Sequence, residues 1–249
     1  MPKKVVPEAE RRRRRPTRQG TVLSEELIVA TALRMLREHG ASGLTARRLG
    51  SALGADPSTL YRYFAGLDDL TRAIGEVLMG RALDSWTPTG AWRPDLRALG
   101  LAIHASYLAH PQAALLTASR VTGRPREIAV DEAALGILRG AGFPDGEAVG
   151  VYHAFIDLAL AFAALDAGAL TIKDEARAAD EDMWSSTYAR LPAATHPHIA
   201  ATAHLLADRM NHSAYPVLLD TLLDRTEARL AELGYASGIL VPVDQTATH

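Results

Sequence analysis

The sequence predicts an all-α protein with two domains: a small N-terminal domain of three helices and a larger C-terminal helical domain. Of the 249 residues, 48% are hydrophobic but only 6% are aromatic, so the apolar content is mostly Ala and Leu, which favour helix over sheet. Apolar residues recur at helical spacing between Gly and Pro breakers. No stretch keeps the alternation of apolar and polar residues that predicts a strand.

Charge is distributed unevenly along the chain. Residues 1–63 contain 13 Lys and Arg against 6 Asp and Glu, although the whole chain has a net charge of -2. A basic N-terminal segment followed by an acidic remainder of the chain predicts a polyanionic partner for the N-terminal segment alone. The chain has no cysteine, which excludes disulfides and thiolate metal sites and fits a cytoplasmic protein. No uninterrupted apolar run is long enough for a membrane helix, so we expect no membrane partner.

Residues 1–20 form a basic segment that includes Arg11 to Arg15 and three prolines. It lacks apolar periodicity, so we expect it to be disordered when free. Its position directly before a DNA-binding motif indicates an arm that contacts phosphates or enters a minor groove. The alternative is a tail that only improves solubility.

Residues 21–66 have the pattern of a helix-turn-helix domain. Ser24 is suited to cap a first helix through His39, and Gly40 to end it in the left-handed conformation. Thr45 is suited to cap a second helix through Leu53. Gly54 then supplies the positive φ of a tight turn.

The third helix is predicted from Pro57 to Phe64, with Asp56 as its cap and Pro57 at its first position. Leu60 and Phe64 are four residues apart and should face the core. The remaining side chains are hydroxyls, phenols and a guanidinium, which suit phosphates and base edges in a major groove. They are Ser58, Thr59, Tyr61, Arg62 and Tyr63.

With these three helices in place, the sequence resembles the TetR family of transcriptional regulators over residues 24–80. The resemblance rests on Ala32-Leu33, Leu36, Gly40, Leu44-Thr45, Leu49, Leu53-Gly54 and the run from Thr59 to Phe64. Downstream, the order of five short motifs is similar to the tetracycline-repressor branch. They are Trp92, Leu96-Arg97, His110, Gly123-Arg124-Pro125 and Gly142-Phe143.

The resemblance implies specific DNA-binding roles. Thr45 would contact a phosphate and Arg47 would read a base, for which guanine is the natural partner. Pro57, Ser58 and Thr59 would meet bases or thymine methyls, while Tyr61, Arg62 and Tyr63 would hold phosphates and flanking base edges. The family usually has a lysine just after the recognition helix, where this chain has Ala65 and Leu67. We hypothesise that the arginine arm replaces that phosphate clamp.

The resemblance also implies that residues 67–235 form a ligand-binding and dimerisation domain, entered through a connecting helix at 67–83. Residues 145–168 are apolar nearly all round, which indicates burial on more than one side. Together with 214–233, they resemble the helices that form a four-helix dimer bundle; an ordinary monomeric core is the alternative. Residues 236–249 are expected to be a disordered tail.

The effector pocket is expected to be apolar with a few polar anchors. Its predicted lining is Trp86, Ile103, His104, Tyr107, Leu116, Arg120, Phe155 and Trp184. A lone histidine on an apolar helix face, such as His104, is also typical of a hydrogen-bonded core residue. Tetracycline repressors have a magnesium-binding histidine where this chain has Arg120, and drug-contacting polar residues where it has Leu99 and Gly136. We therefore expect no metal, no cofactor and no tetracycline–magnesium complex.

We therefore predict that the protein is a ligand-responsive, homodimeric DNA-binding regulator that a small molecule releases from its operator. We find no P-loop, nucleophile elbow or zinc-protease helix, so we expect no enzyme activity. The alternative is a helical enzyme or metal-binding protein with an incidental helix-turn-helix. Its best support is His204, Asp208 and His212, spaced four apart as zinc ligands on one helix face could be.

Overall fold

A computed structural model describes residues 22–236, with side chains described to residue 234. Every regular element in this range is a helix, which confirms the all-α prediction. The helices are α1 Glu25–His39, α2 Ala46–Ala52, α3 Pro57–Leu60, α4 Leu67–Ser85, α5 Trp92–Leu108, α6 Pro111–Thr117, α7 Pro125–Gly140, α8 Asp145–Thr171, α9 Asp174–Ser186, α10 Pro197–Arg209 and α11 Tyr215–Ala236. The predicted arm at 1–20 and residues 237–249 of the predicted tail lie outside the described range.

Ser24 and Thr45 cap α1 and α2 as the sequence predicts, whereas Gly40 has the predicted positive φ but an extended ψ of -174° instead of the left-handed helical value. The Ser24 Oγ accepts a hydrogen bond from the Leu27 N–H at 3.2 Å, and Gly40 ends α1 with a φ of 66°. The Thr45 Oγ1 accepts from the Arg48 N–H, also at 3.2 Å. Each cap satisfies a backbone N–H that has no partner inside its helix.

α3 is shorter than predicted, since it ends at Leu60 and the chain continues to Phe64 as a tight turn. The turn forms because the Arg62 and Tyr63 N–H groups donate to carbonyls three residues back, at 3.2 and 2.9 Å. Leu60 and Phe64 are both buried, so the predicted inward face is kept despite the change of backbone geometry.

Gly50 allows α2 and α3 to approach closely. A Cβ at Gly50 would lie 2.9 Å from the Ala55 carbonyl oxygen and 3.1 Å from the Pro57 nitrogen, both of which are backbone atoms. Gly54 has the predicted positive φ, of 62°, in the turn between the helices. The turn therefore depends on two glycines, one for conformation and one for space.

α4 joins the two domains through a shared apolar core. Leu70, Ile74 and Leu78 are buried along one face of α4. They belong to one cluster of buried side chains that extends from α1 to α11. The three-helix domain therefore packs on the C-terminal domain instead of being joined to it only by a flexible linker.

α8 is the central helix of the C-terminal domain. Its buried face is built from Phe155 and several alanines, and it packs against α5, α6, α7 and α11. By length and composition α8 could cross a membrane. The sequence did not predict such a helix, because Asp157 and Asp166 interrupt the apolar run of α8. Only 22% of its most apolar window is buried within the chain, and Val149 and Leu165 are 56% and 66% exposed.

We predict that Gly50→Ala lowers the free energy of unfolding by about 1–3 kcal/mol, because the new methyl group meets backbone that cannot move aside. Gly136→Ala is the matched control, since among the described residues no atom outside the local helix lies within 4 Å of its added Cβ in α7. It should raise the free energy of unfolding by about 0.5–1 kcal/mol through helix propensity. Urea unfolding measures both, and a stabilised Gly50→Ala protein would contradict the close-approach argument.

Candidate functional site

The predicted recognition residues lie on α3 and the turn that follows it. Tyr61 is 58% exposed, and Ser58 and Arg62 are also exposed. Pro57 and Thr59 are half-buried. Asp56 stabilises the N-terminal end of α3, because its Oδ1 accepts a hydrogen bond from the Ser58 N–H at 2.8 Å. This hydrogen bond uses the backbone of Ser58 and not its exposed hydroxyl.

α2 adds two arginines to the same small domain. Arg47, predicted to read a base, is exposed. Its neighbour Arg48 is also exposed, although sequence reasoning did not select it. Thr45 uses its oxygen as the helix cap, and its hydroxyl hydrogen remains available for a phosphate.

The guanidinium groups of this surface are not neutralised by carboxylates of the described residues. Among residues 22–234, no ion pair forms at Arg47, Arg48 or Arg62. Elsewhere, by contrast, arginines such as Arg97 and Arg124 pair with carboxylates at 2.7 Å. Unpaired cations beside exposed hydroxyls and a phenol form a surface that can neutralise phosphates and donate to base edges.

Tyr63 has a different environment from Tyr61. Its hydroxyl donates to the Leu23 carbonyl oxygen at 3.0 Å, and its ring is half-buried. The bond ties the segment before α1 to the turn after α3. The phosphate contact expected of Tyr63 stays a prediction, and it would require the hydroxyl to exchange this partner.

Four of the eight predicted effector residues lie together in the core. Ile103, His104, Tyr107 and Phe155 are buried where α5 meets α8. The His104 Nε2 lies 2.8 Å from Asp166 Oδ2, and its ring stacks on Tyr215 with centroids 4.5 Å apart. His104 therefore has the partners expected of a core histidine.

Of the other four predicted effector residues, Trp86 and Leu116 pack against the same core cluster, whereas Trp184 is not part of it. The Trp86 indole donates to the Asp95 carbonyl oxygen at 3.0 Å. Arg120 forms an ion pair with Asp68. Trp184, near the end of α9, packs on Tyr188 with ring centroids 4.4 Å apart. The last residue, Leu116, is half-buried on α6.

A polar cluster that sequence reasoning missed lies between α7 and α8. The Tyr152 hydroxyl donates to Asp131 Oδ1 at 2.5 Å, and burial raises the pKa of both groups. One turn earlier on α7, Glu127 accepts from the Thr122 and Gly123 N–H groups at 2.9 and 2.7 Å. The signal in the sequence was the spacing of Glu127 and Asp131, which places two carboxylates on one face of a helix.

Ion pairs tie the segment between α6 and α7 to the connecting helix α4. Arg120 pairs with Asp68, and Arg124 pairs with Asp69 at 2.7 Å. The Arg126 N–H also lies 3.0 Å from Glu76 Oε1. These contacts connect the C-terminal domain to the part of α4 nearest the three N-terminal helices.

The candidate zinc ligands are not grouped. α10 ends at Arg209, and the His212 Nδ1 beyond it bonds to the Asp208 carbonyl oxygen at 2.8 Å. Within the described part of the chain, no three His, Asp or Glu side chains lie together in an arrangement that could hold a metal ion.

Two family patterns match the chain in this arrangement. The pattern of bacterial regulatory proteins of the tetR family matches residues 28–74, and that of the tetracyclin repressor-like C-terminal domain matches residues 86–229. The chain belongs to the TetR family. The second match covers more than half of the chain and confirms the similarity to the tetracycline-repressor branch.

Individual TetR relatives agree with this assignment. The class C tetracycline repressor of Escherichia coli is 31% identical over 128 residues, or 51% of this chain and 58% of the repressor. A transcriptional regulator of Saccharopolyspora erythraea is 28% identical over 132 residues, or 52% of this chain and 56% of that protein. The chain thus matches little more than half the length of these curated relatives.

Solved TetR structures have the same fold. A protein of Streptomyces coelicolor A3(2), described as a possible TetR family regulator, has a TM-score of 0.69 and 30% identity, covering 82% of this chain and 99% of that one. ActR of Streptomyces coelicolor in complex with actinorhodin has a TM-score of 0.72 at 20% identity, covering 84% and 99%. BioQ with its operator has a TM-score of 0.53 at 26% identity, covering 59% and 88%.

Proposed function

We propose that this TetR-family chain is a cytoplasmic transcriptional repressor that binds operator DNA as a homodimer and is released by a small molecule. The observation behind the proposal is the surface of α2 and α3, where unpaired arginines lie beside exposed hydroxyl and phenol groups. A protein surface of this chemistry, on a helix-turn-helix, matches the major groove of double-stranded DNA.

In the proposed complex, each protomer inserts α3 into a major groove. Arg47 pairs with a guanine, and Pro57, Ser58 and Thr59 meet base edges or thymine methyls. Tyr61 and Arg62 contact phosphates and flanking bases. Two α3 helices separated by about one helical turn would read an inverted repeat, with one half-site for each protomer.

The proposed dimer interface is the uncovered apolar stripe of α8 together with α11. Ala154, Ala161 and Leu165 recur at spacings of seven and four residues, so they share one face of α8, and all three are exposed. On α11, Val217 is 61% exposed. Apolar stripes on two neighbouring helices suit a four-helix bundle with a symmetry mate, in which small residues such as Ala161 allow close approach.

The proposed effector site lies in the C-terminal domain, with Asp131 and Tyr152 as polar anchors beside the apolar residues of α5 and α8. ActR, solved with actinorhodin and with (S)-DNPA, illustrates that this fold accommodates small molecules. A ligand that shifts α7 would pull on the ion pairs of Arg120 and Arg124 with α4. Such a ligand releases the operator only to the extent that it prefers the conformation that does not fit DNA.

We predict that Arg47→Ala weakens operator binding by about 1–3 kcal/mol, since it removes a bidentate base contact. Tyr61→Ala should weaken binding to all operator variants alike, because the phenol contacts the backbone and flanking edges. Fluorescence anisotropy with labelled operator measures both. Arg139→Ala is the control, because this exposed arginine of α7 pairs with Asp145 outside the DNA-binding domain. Unchanged affinity in both variants would contradict the proposed DNA interface.

For the dimer, we predict that Leu165→Glu raises the dimer dissociation constant by at least about tenfold, because each subunit would bury a carboxylate in an apolar interface. Val121→Glu is the control, since Val121 is 81% exposed on the segment between α6 and α7. Sedimentation velocity reports the oligomeric state of both. An intact Leu165→Glu dimer would place the interface elsewhere.

For the basic arm, we predict that deletion of residues 1–18 weakens operator binding and reduces its dependence on salt. Each lost phosphate contact lowers the slope of log affinity against log salt by about one unit. Anisotropy titrations at several salt concentrations measure the slope. Equal affinity and equal slope for the deleted and intact proteins would show that the arm does not replace the missing lysine clamp.

A further inference from the structure

An open cleft of about 280 Å³ lies where the DNA-binding domain meets the C-terminal domain. α1 contributes Leu33, Leu36 and Arg37 to its wall. The corner between α5 and α6 contributes residues 109–113, and the end of α8 contributes Leu170. The cleft is thus lined by both domains, and none of the eight predicted effector residues belongs to its lining.

Positive charge at this junction cleft comes from Arg37, which lines it, and from Arg81 of α4. Arg81 donates a hydrogen bond to the Nε2 of His110, which also lines the cleft. Burial lowers the pKa of His110, and the charges of Arg81 and Arg37 lower it further, which favours the neutral imidazole that can accept this bond. Within the described range, neither Arg37 nor Arg81 has a carboxylate at ion-pair distance.

The rest of the lining is mainly apolar. Leu33 and Leu36 belong to the buried core of α1, and Ala113 is buried on α6. Pro111 and Leu170 complete the apolar walls. A guanidinium at the mouth of an apolar cleft matches a ligand with one carboxylate and a hydrocarbon body, because Arg pairs with both oxygens of a carboxylate and the apolar walls exclude water from the chain.

We propose that the junction cleft binds a small apolar monocarboxylate, whose carboxylate pairs with Arg37 and whose hydrocarbon part lies against Ala109, Pro111 and Leu170. This site is separate from the effector site proposed above. A ligand held by both domains favours one orientation of the DNA-binding helices over others. By linkage, it changes operator affinity by the same factor by which the operator changes the affinity for the carboxylate.

Isothermal titration calorimetry of the full-length protein with octanoate tests the proposal. We expect octanoate to bind and octanol and inorganic phosphate to bind at least about tenfold more weakly, because each lacks one of the two recognised parts. Arg37→Gln should weaken octanoate binding by a similar factor. Arg34→Gln, on the same helix but outside the lining, should leave it unchanged. No octanoate binding, or equal affinity in the Arg37→Gln protein, would overturn the proposal.

Hydrogen exchange locates the bound octanoate. The proposal predicts slower exchange of amides in residues 33–40 and 109–114 and little change around Asp131 and Tyr152. Protection confined to the α7–α8 region would place octanoate in the effector site and overturn the junction site. Neither measurement contains DNA, so its result is independent of whether α3 reads an operator.

Discussion

The apolar core shared by the two domains is the constraint on which the other features depend. α4 places Leu70 and Ile74 against the DNA-binding helices and continues with Leu78 into the C-terminal domain, and all three side chains are almost fully buried. A core of this kind is close-packed and transmits small displacements instead of absorbing them. The ion pairs of Asp68 and Asp69 with the α6–α7 segment add directional contacts to the same helix. α4 therefore links the packing of the three N-terminal helices to that of the C-terminal domain.

α8 combines two packing requirements in one helix. Its alanine-rich face lets α5, α6 and α7 approach closely, with Phe155 as the large buried side chain. Its opposite stripe, which includes Leu165, has no cover among residues 22–234. Apolar surface of this extent is unfavourable in water, and the proposed second protomer would remove it from water. The proposed dimer would thus account for the apolar character of α8.

Local features were predictable from the sequence, whereas long-range contacts were not. Ser24, Thr45 and Asp56 cap their helices as expected, because capping depends only on residues two or three positions away. The requirement for Gly50 depends on the packing of α2 against α3, which has no local signature. The predicted effector residues show the same limit, since the partners of His104 and Arg120 are 62 and 52 residues away in the chain.

Selection of bound sequences from a random pool of double-stranded DNA tests the central claim most directly. If two α3 helices of a dimer read successive major grooves, full-length protein will enrich an inverted repeat whose half-site centres lie about 10 base pairs apart. The enriched pattern should include a guanine in each half-site, as the partner of Arg47. Enrichment of a single half-site, or of no sequence at all, would contradict the account of this chain as a dimeric operator-binding regulator.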